Sequence, residues 1–112
     1  MSTEKATQEE NWIEAAKVGD ISNYDAIKFN HDGKCIAIFH VDGEYFATSG
    51  ICTHEHAFLS EGYIDHDTIE CPLHQGIFNI RTGKAMSPPV TQDLETYETK
   101  MEDGIVYVNF VK

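Results

Sequence analysis

Two short segments, separated by 16 residues, each place a cysteine next to a histidine, and no other feature constrains the chain as strongly. The first segment is Cys52-Thr53-His54 and the second is Cys71-Pro72-Leu73-His74. Thiolate and imidazole are both good ligands for transition metals. Two tight loops therefore supply four candidate ligands: Cys52, His54, Cys71 and His74.

Three interpretations of these four residues are open. They bind one zinc ion, they are divided between the two irons of an iron–sulfur cluster, or they are ordinary loop residues. Two such pairs seldom coincide by chance in a chain of 112 residues. In zinc fingers both histidines usually follow both cysteines, whereas here each cysteine precedes its own histidine. This order favours the iron–sulfur cluster over zinc.

The chain resembles the Rieske ferredoxins of bacterial aromatic-ring-hydroxylating dioxygenase systems. The resemblance extends over nearly the whole chain and rests on Cys52-Thr53-His54, Leu59-Ser60-Glu61-Gly62, Glu70-Cys71-Pro72-Leu73-His74, Phe78, Thr82-Gly83-Lys84, Pro88-Pro89 and, more loosely, Val106-Tyr107-Val108. It implies an all-β Rieske fold with one [2Fe–2S] cluster per chain. Cys52 and Cys71 would bind one iron, and His54 and His74 the other.

The same resemblance implies a one-electron carrier with no catalytic activity of its own. It would pass electrons from a flavin-containing NAD(P)H reductase to a terminal Rieske oxygenase in aromatic hydrocarbon catabolism. Two alternatives stay open. One is a small Rieske subunit permanently bound to another oxidoreductase, and the other is a zinc-stabilised interaction module.

Four positions separate the chain from the Rieske proteins of cytochrome bc-type complexes. Those proteins carry a disulfide and two hydroxyl donors beside the cluster. The matching positions here are Ala57 and Leu73 for the disulfide, and Gly76 and Phe78 for the hydroxyl donors. The resemblance therefore implies the branch of low reduction potential.

The spacing of apolar residues and turn signals predicts an antiparallel β-sandwich or barrel, with an inserted cluster-binding subdomain at about 50–89. Predicted strands cover 12–18, 26–29, 35–41, 44–48, 63–64, 68–70, 77–80, 85–86, 94–101 and 105–111. Residues 1–10 are predicted to form a flexible tail and residues 11–112 a single domain. Asp42-Gly43 is a typical hairpin turn.

The charge of −11 excludes nucleic acid and anionic membranes as probable partners, because both would repel this chain. Two interpretations of the charge stay open, and both can hold: it keeps the protein soluble, and it steers the protein toward basic partners. The N-terminal residues lack the basic and apolar segments of a signal peptide, so a cytoplasmic location is expected.

The remaining cysteine and histidines are not predicted to bind metal. Cys35 is expected in the core and His56 in a loop, while His31, His40 and His66 are expected to face solvent. Gly50, Gly62 and Gly76 flank the ligand loops, where glycine lets backbone N–H groups approach a cluster. An apolar ring of Phe58, Leu73 and Pro88 is expected around exposed ligand histidines.

Overall fold

The strands follow the predicted all-β pattern. The computed structural model describes residues 12–51, 57–72, 76–88, 90 and 92–110, so the predicted tail at 1–10 lies outside them. The ten strands in these ranges are β1 (Trp12–Lys17), β2 (Asp25–His31), β3 (Lys34–Val41), β4 (Glu44–Ser49), β5 (Tyr63–Asp65), β6 (Thr68–Glu70), β7 (Ile77–Asn79), β8 (Ala85–Ser87), β9 (Thr96–Glu102) and β10 (Ile105–Asn109). Every pairing between them is antiparallel. The predicted fold class is confirmed.

The strands form a six-stranded sheet, ordered β1-β10-β9-β4-β3-β2, and a four-stranded sheet, ordered β5-β6-β7-β8. Three hairpins of the larger sheet turn at an Asp-Gly pair, which begins at Asp32, Asp42 or Asp103. In each pair both residues have positive φ, with 55° and 80° at Asp42-Gly43. These are the angles that two-residue hairpin turns require, so the turn signal in the sequence is confirmed.

Strand β3 is buried on both faces, which explains the unbroken apolar run from Ile36 to Phe39. Ile36 and Ile38 point into one core, together with residues of β9 and β10. Ala37 and Phe39 point into a second core, together with residues of the four-stranded sheet. A strand covered on both sides has no polar face, so its sequence does not alternate. β3 therefore separates the two cores and carries the smaller sheet on one side.

The arginine after β7 joins the two sheets. The Arg81 guanidinium donates to Asp67 Oδ1 at 3.0 Å and to Glu44 Oε1 at 2.8 Å. It also lies over the ring of Phe46, at 4.7 Å from the centroid. The hydrogen bonds to Asp67 and Glu44 raise the pKa of Arg81 above its ordinary value. Arg81 thus links β4 of the larger sheet to the small sheet.

Several strand ends and the exposure of two histidines differ from the predictions: β2, for example, covers Asp25–His31 instead of 26–29, and β10 ends at Asn109 instead of residue 111. Strand β9 begins at Thr96 instead of residue 94, because the N–H of buried Leu94 donates to Gly83 O at 2.7 Å. His31 and His40 are half-buried, against the expectation that they face solvent. His31 stacks on Phe110 with centroids 4.6 Å apart, and His40 Nδ1 lies 2.8 Å from a backbone carbonyl. His66 is exposed, as predicted.

In the described ranges, no helix has the length and apolar character needed to cross a bilayer.

Candidate metal centre

Of the four predicted ligands, Cys71 lies within the described residues, directly after β6. Its side chain is 1% exposed and belongs to the core between β3 and the small sheet. Cys52, His54 and His74 lie outside the described residues, as do His56 and Leu73.

The second ligand loop, from Cys71 to Gly76, is closed at its base by a backbone hydrogen bond. The N–H of Cys71 donates to Gly76 O at 2.7 Å. Both residues are buried, and both strands that flank the loop, β6 and β7, are paired with each other. The two ends of the loop are therefore held together between paired strands, and its cysteine lies in an apolar core.

The first ligand loop is also closed at its base. Ile51 and Phe58 form an isolated antiparallel bridge on either side of the segment 52–57. Outside that bridge, the N–H of Leu59 donates to Gly50 O at 2.8 Å. The N–H of Gly50 in turn donates to Cys35 O at 2.8 Å, which ties the loop to β3.

The bases of the two loops lie against each other. A short 3-10 helix (Leu59–Glu61) follows the first loop and ends at Gly62. A Cβ atom at Gly62 would collide with the carbonyl oxygen of Glu70, the residue before Cys71. Ala57 and Leu59 share the buried core with Cys71. The fold thus brings the end of the first Cys/His segment to the start of the second.

A cation lies beside the first loop, where the sequence predicted only apolar groups. The Lys28 ammonium is 3.9 Å from the centroid of the Phe58 ring, and Phe58 is half-buried. Cys35 lies nearby as a free thiol, with Sγ facing Gly50. Burial raises the pKa of the Cys35 thiol, and the charge of Lys28 lowers it by a smaller amount. Cys35 is half-buried and belongs to neither core, against the expectation from the sequence, and it packs against Gly50 at the base of the loop.

The described residues fit an iron–sulfur cluster. Cys71 places a soft sulfur ligand in an apolar core, and the adjoining loop is held by glycine backbone. Within the described ranges, no group of three or more cysteine, histidine or carboxylate side chains forms an alternative metal site. The thiol donor and its dry surroundings therefore agree with the ligand chemistry inferred from the sequence.

Comparison with known proteins decides the family. A profile of the Rieske [2Fe–2S] domain matches residues 11–98, which is most of the chain. The chain belongs to the Rieske [2Fe–2S] family. Its cofactor is accordingly the Rieske cluster, and the family resemblance found in the sequence is confirmed.

Relatives match this Rieske domain over most of both chains, and solved structures share its fold. The ferredoxin component of the naphthalene 1,2-dioxygenase system from Pseudomonas putida is 47% identical over 98 residues, covering 88% of this chain and 94% of that protein. Sphingomonas yanoikuyae B1 ferredoxin superposes with a TM-score of 0.84 at 35% sequence identity, and the match covers 88% of this chain and 98% of that chain. A chain from the complex of reduced oxygenase and oxidized ferredoxin in carbazole 1,9a-dioxygenase superposes with a TM-score of 0.85 at 37% sequence identity. The match covers 90% of this chain and 94% of that chain.

The three glycines next to the loops are packed against protein atoms. The expectation from the sequence that they let backbone N–H groups approach the cluster stays a prediction. A Cβ at Gly50 would lie 2.8 Å from Cys35 Sγ, and one at Gly76 would collide with Val90. The contacts of Cys35 with Gly50 and of Val90 with Gly76 are ones that the sequence argument missed. The only local signal for Val90 is that it follows Pro88-Pro89.

Proposed function

We propose that this Rieske protein is the one-electron carrier of an aromatic-ring-hydroxylating dioxygenase system, with Cys52 and Cys71 on one iron and His54 and His74 on the other. The observation that carries the proposal is the family match together with relatives that are ferredoxin components and align over more than nine-tenths of their own length. When bound, the Rieske cluster takes up one electron and gives it up again.

The architecture supports a carrier in preference to a catalyst. The match to the Pseudomonas putida ferredoxin component covers 88% of this chain and 94% of that protein, so the shared region is the carrier domain itself. The β-strands on either side of the loops hold both loop bases by backbone hydrogen bonds. A ligand cage held in this way reorganises little when its charge changes by one electron. In this proposal residues 11–112 form one domain, and the cluster-binding subdomain covers about 50–89.

The proposed partners are a flavin-containing NAD(P)H reductase and a terminal Rieske oxygenase. Ferredoxin and oxygenase occur together in the carbazole 1,9a-dioxygenase complex, whose matched chain is 37% identical to this one. The charge of −11 supports docking to basic surfaces of both partners and disfavours nucleic acid and anionic membranes. The proposed location is the cytoplasm, where the reductase obtains its nicotinamide nucleotide.

Alanine substitution of each proposed ligand tests the site. Cys52→Ala, His54→Ala, Cys71→Ala and His74→Ala should each abolish the red-brown colour and the EPR signal of the dithionite-reduced protein. Cys35→Ala and His56→Ala are the matched controls and should retain both. If His56→Ala bleached the protein and His54→Ala did not, the assignment of the first histidine would be wrong. A colourless wild-type protein that contains zinc would exclude the cluster.

A turnover assay tests the carrier role. With reductase and oxygenase in excess, a small amount of the protein should support many oxygenase turnovers, because a carrier exchanges between partners. A subunit that is permanently bound to one enzyme would support turnover only in proportion to its own amount. That result would replace the proposal with the alternative of a fixed Rieske subunit.

A further inference from the structure

Gly76, at the end of the second ligand loop, has no room for a side chain, because Val90 fills the position that a Cβ atom would take. The three heavy atoms nearest to a Cβ built at Gly76 all belong to Val90. Cγ1 would collide with it, while Cγ2 and Cβ would lie at 3.2 and 3.3 Å. Gly50 and Gly62 differ, because backbone atoms are among their nearest neighbours. Among these glycines, only at Gly76 do all three of the nearest atoms belong to a single side chain.

The chain reaches this position through the turn after β8. Ser87 at the end of β8 pairs with Ile77, the residue after Gly76. The N–H of Val90 then donates to Ser87 O at 3.2 Å, so the turn brings residue 90 back over β7. Val90 is 4% exposed and packs in the same core as Cys71 and Phe78. The position of Val90 is therefore fixed by its packing in this core.

Val90 and the hydrogen bond of Gly76 together restrain the second loop. The carbonyl of Gly76 accepts from the N–H of Cys71, so a shift of Gly76 moves the residue that carries the thiolate ligand. The isopropyl group of Val90 covers Gly76 from the core side and keeps water from the buried backbone. Interiors are close-packed, so removal of two methyl groups leaves space into which the loop relaxes.

We propose that Val90 is a positioning residue for the cluster, and that its contact with Gly76 fixes the second ligand loop. The proposal rests on the proposed function, since it takes Cys71 and His74 as ligands. Val90 itself donates nothing to the metal and acts only through Gly76. The two residues form a reciprocal pair, in which a small residue at one position requires a large residue at the other.

The reciprocal pair predicts a rescue. Gly76→Ala puts a methyl group into the space of Val90 and should lower the iron and acid-labile sulfide bound per chain. Adding Val90→Ala removes both Cγ atoms and leaves only Cβ, at 3.3 Å, which is a tight but tolerable contact. The double variant Gly76→Ala/Val90→Ala should therefore bind more iron per chain than Gly76→Ala alone. Contacting residues are the ones expected to give non-additive effects.

Val106 provides a matched control, because it is a fully buried valine of β10 in the other core. Val90→Ala and Val106→Ala should lower the thermal midpoint alike, but only Val90→Ala should shift the midpoint potential and the visible circular dichroism of the cluster. Val106→Ala should not rescue Gly76→Ala.

The proposal is overturned if the double variant binds no more iron than Gly76→Ala, or if Val106→Ala rescues as well as Val90→Ala. It is equally overturned if Val90→Ala leaves potential and circular dichroism at their wild-type values. A wild-type protein without a [2Fe–2S] spectrum would instead refute the proposed function, so the two failures are distinguishable.

Discussion

Tyr97 should keep its proton far into the alkaline range, and this can be measured directly. The residue is 9% exposed and belongs to the core that contains Ile36 and Ile38, and its hydroxyl donates to Glu95 Oε1 at 3.0 Å. Burial, followed by the hydrogen bond and the negative charge of Glu95, raises the pKa of Tyr97 to about 12. The residue lies where β9 joins β4, at the pair Ala47–Tyr97.

The magnitude follows from the two pKa values. At pH 11 an ordinary tyrosine, with a pKa of about 10, is about nine-tenths ionised. A pKa of about 12 leaves Tyr97 only about one-tenth ionised at the same pH. Phenolate absorbs near 295 nm, so the difference between wild type and Tyr97→Phe isolates this residue. The other four tyrosines and the cluster are common to both proteins and cancel.

The same shift makes stability depend on pH. Because the folded pKa is the higher one, the contribution of Tyr97 is complete below pH 10 and is lost as pH rises toward 12. Each unit of the pKa difference corresponds to at most about 1.4 kcal/mol of stability. The part of the shift that comes from exposed Glu95 is screened by solvent, so the observed loss should fall below this upper limit. The urea midpoints of wild type and Tyr97→Phe should therefore converge above pH 10.

Spectrophotometric titration from pH 8 to pH 12 is the decisive measurement. A full phenolate in the difference spectrum by pH 11 would refute the reasoning, because neither burial nor Glu95 would then hold the proton. Glu95→Gln is a second control, which should lower the pKa of Tyr97 without restoring its ordinary value, since burial remains the larger cause.

Three further predictions concern the cluster and its surroundings. The midpoint potential should lie near the low end of the Rieske range, around −150 mV, since Gly76 and Phe78 offer no hydroxyl group to donate to the cluster. A positive midpoint potential in protein-film voltammetry would contradict this. Stopped-flow reduction by the reductase should slow as salt rises, because salt screens the −11 charge; a rate that is independent of salt would leave that charge no role in docking. Leu59→Ala should cost about 2–5 kcal/mol in urea unfolding, because Leu59 is fully buried; the exposed Met101→Ala is the control, and equal losses would argue against this packing.

Much of the local structure could be read from the sequence. The Asp-Gly turns need only positive φ at two adjacent residues, so the local chain decides them. The two Cys/His segments are equally local, because a loop of three or four residues already determines which ligands it offers. For this reason the all-β class, the family and the cofactor were all accessible before any coordinates. Strand ends could be predicted less well. Leu94 was predicted to begin β9, but its N–H donates to Gly83 O in the β7–β8 turn, and the strand begins at Thr96.

The contacts between distant segments were decided only by tertiary structure. Nothing local says that Val90 covers Gly76, that Lys28 lies over Phe58, or that Arg81 joins two sheets. His31 is close to a turn, yet the pairing of β2 with β3 and the position of Phe110 bury half of it. The sequence by itself determined the chemistry of the ligands and the alternation of strands and turns, since both depend on neighbouring residues. The packing that holds the loops depends on strand register and order across the whole chain, and only the folded molecule sets these.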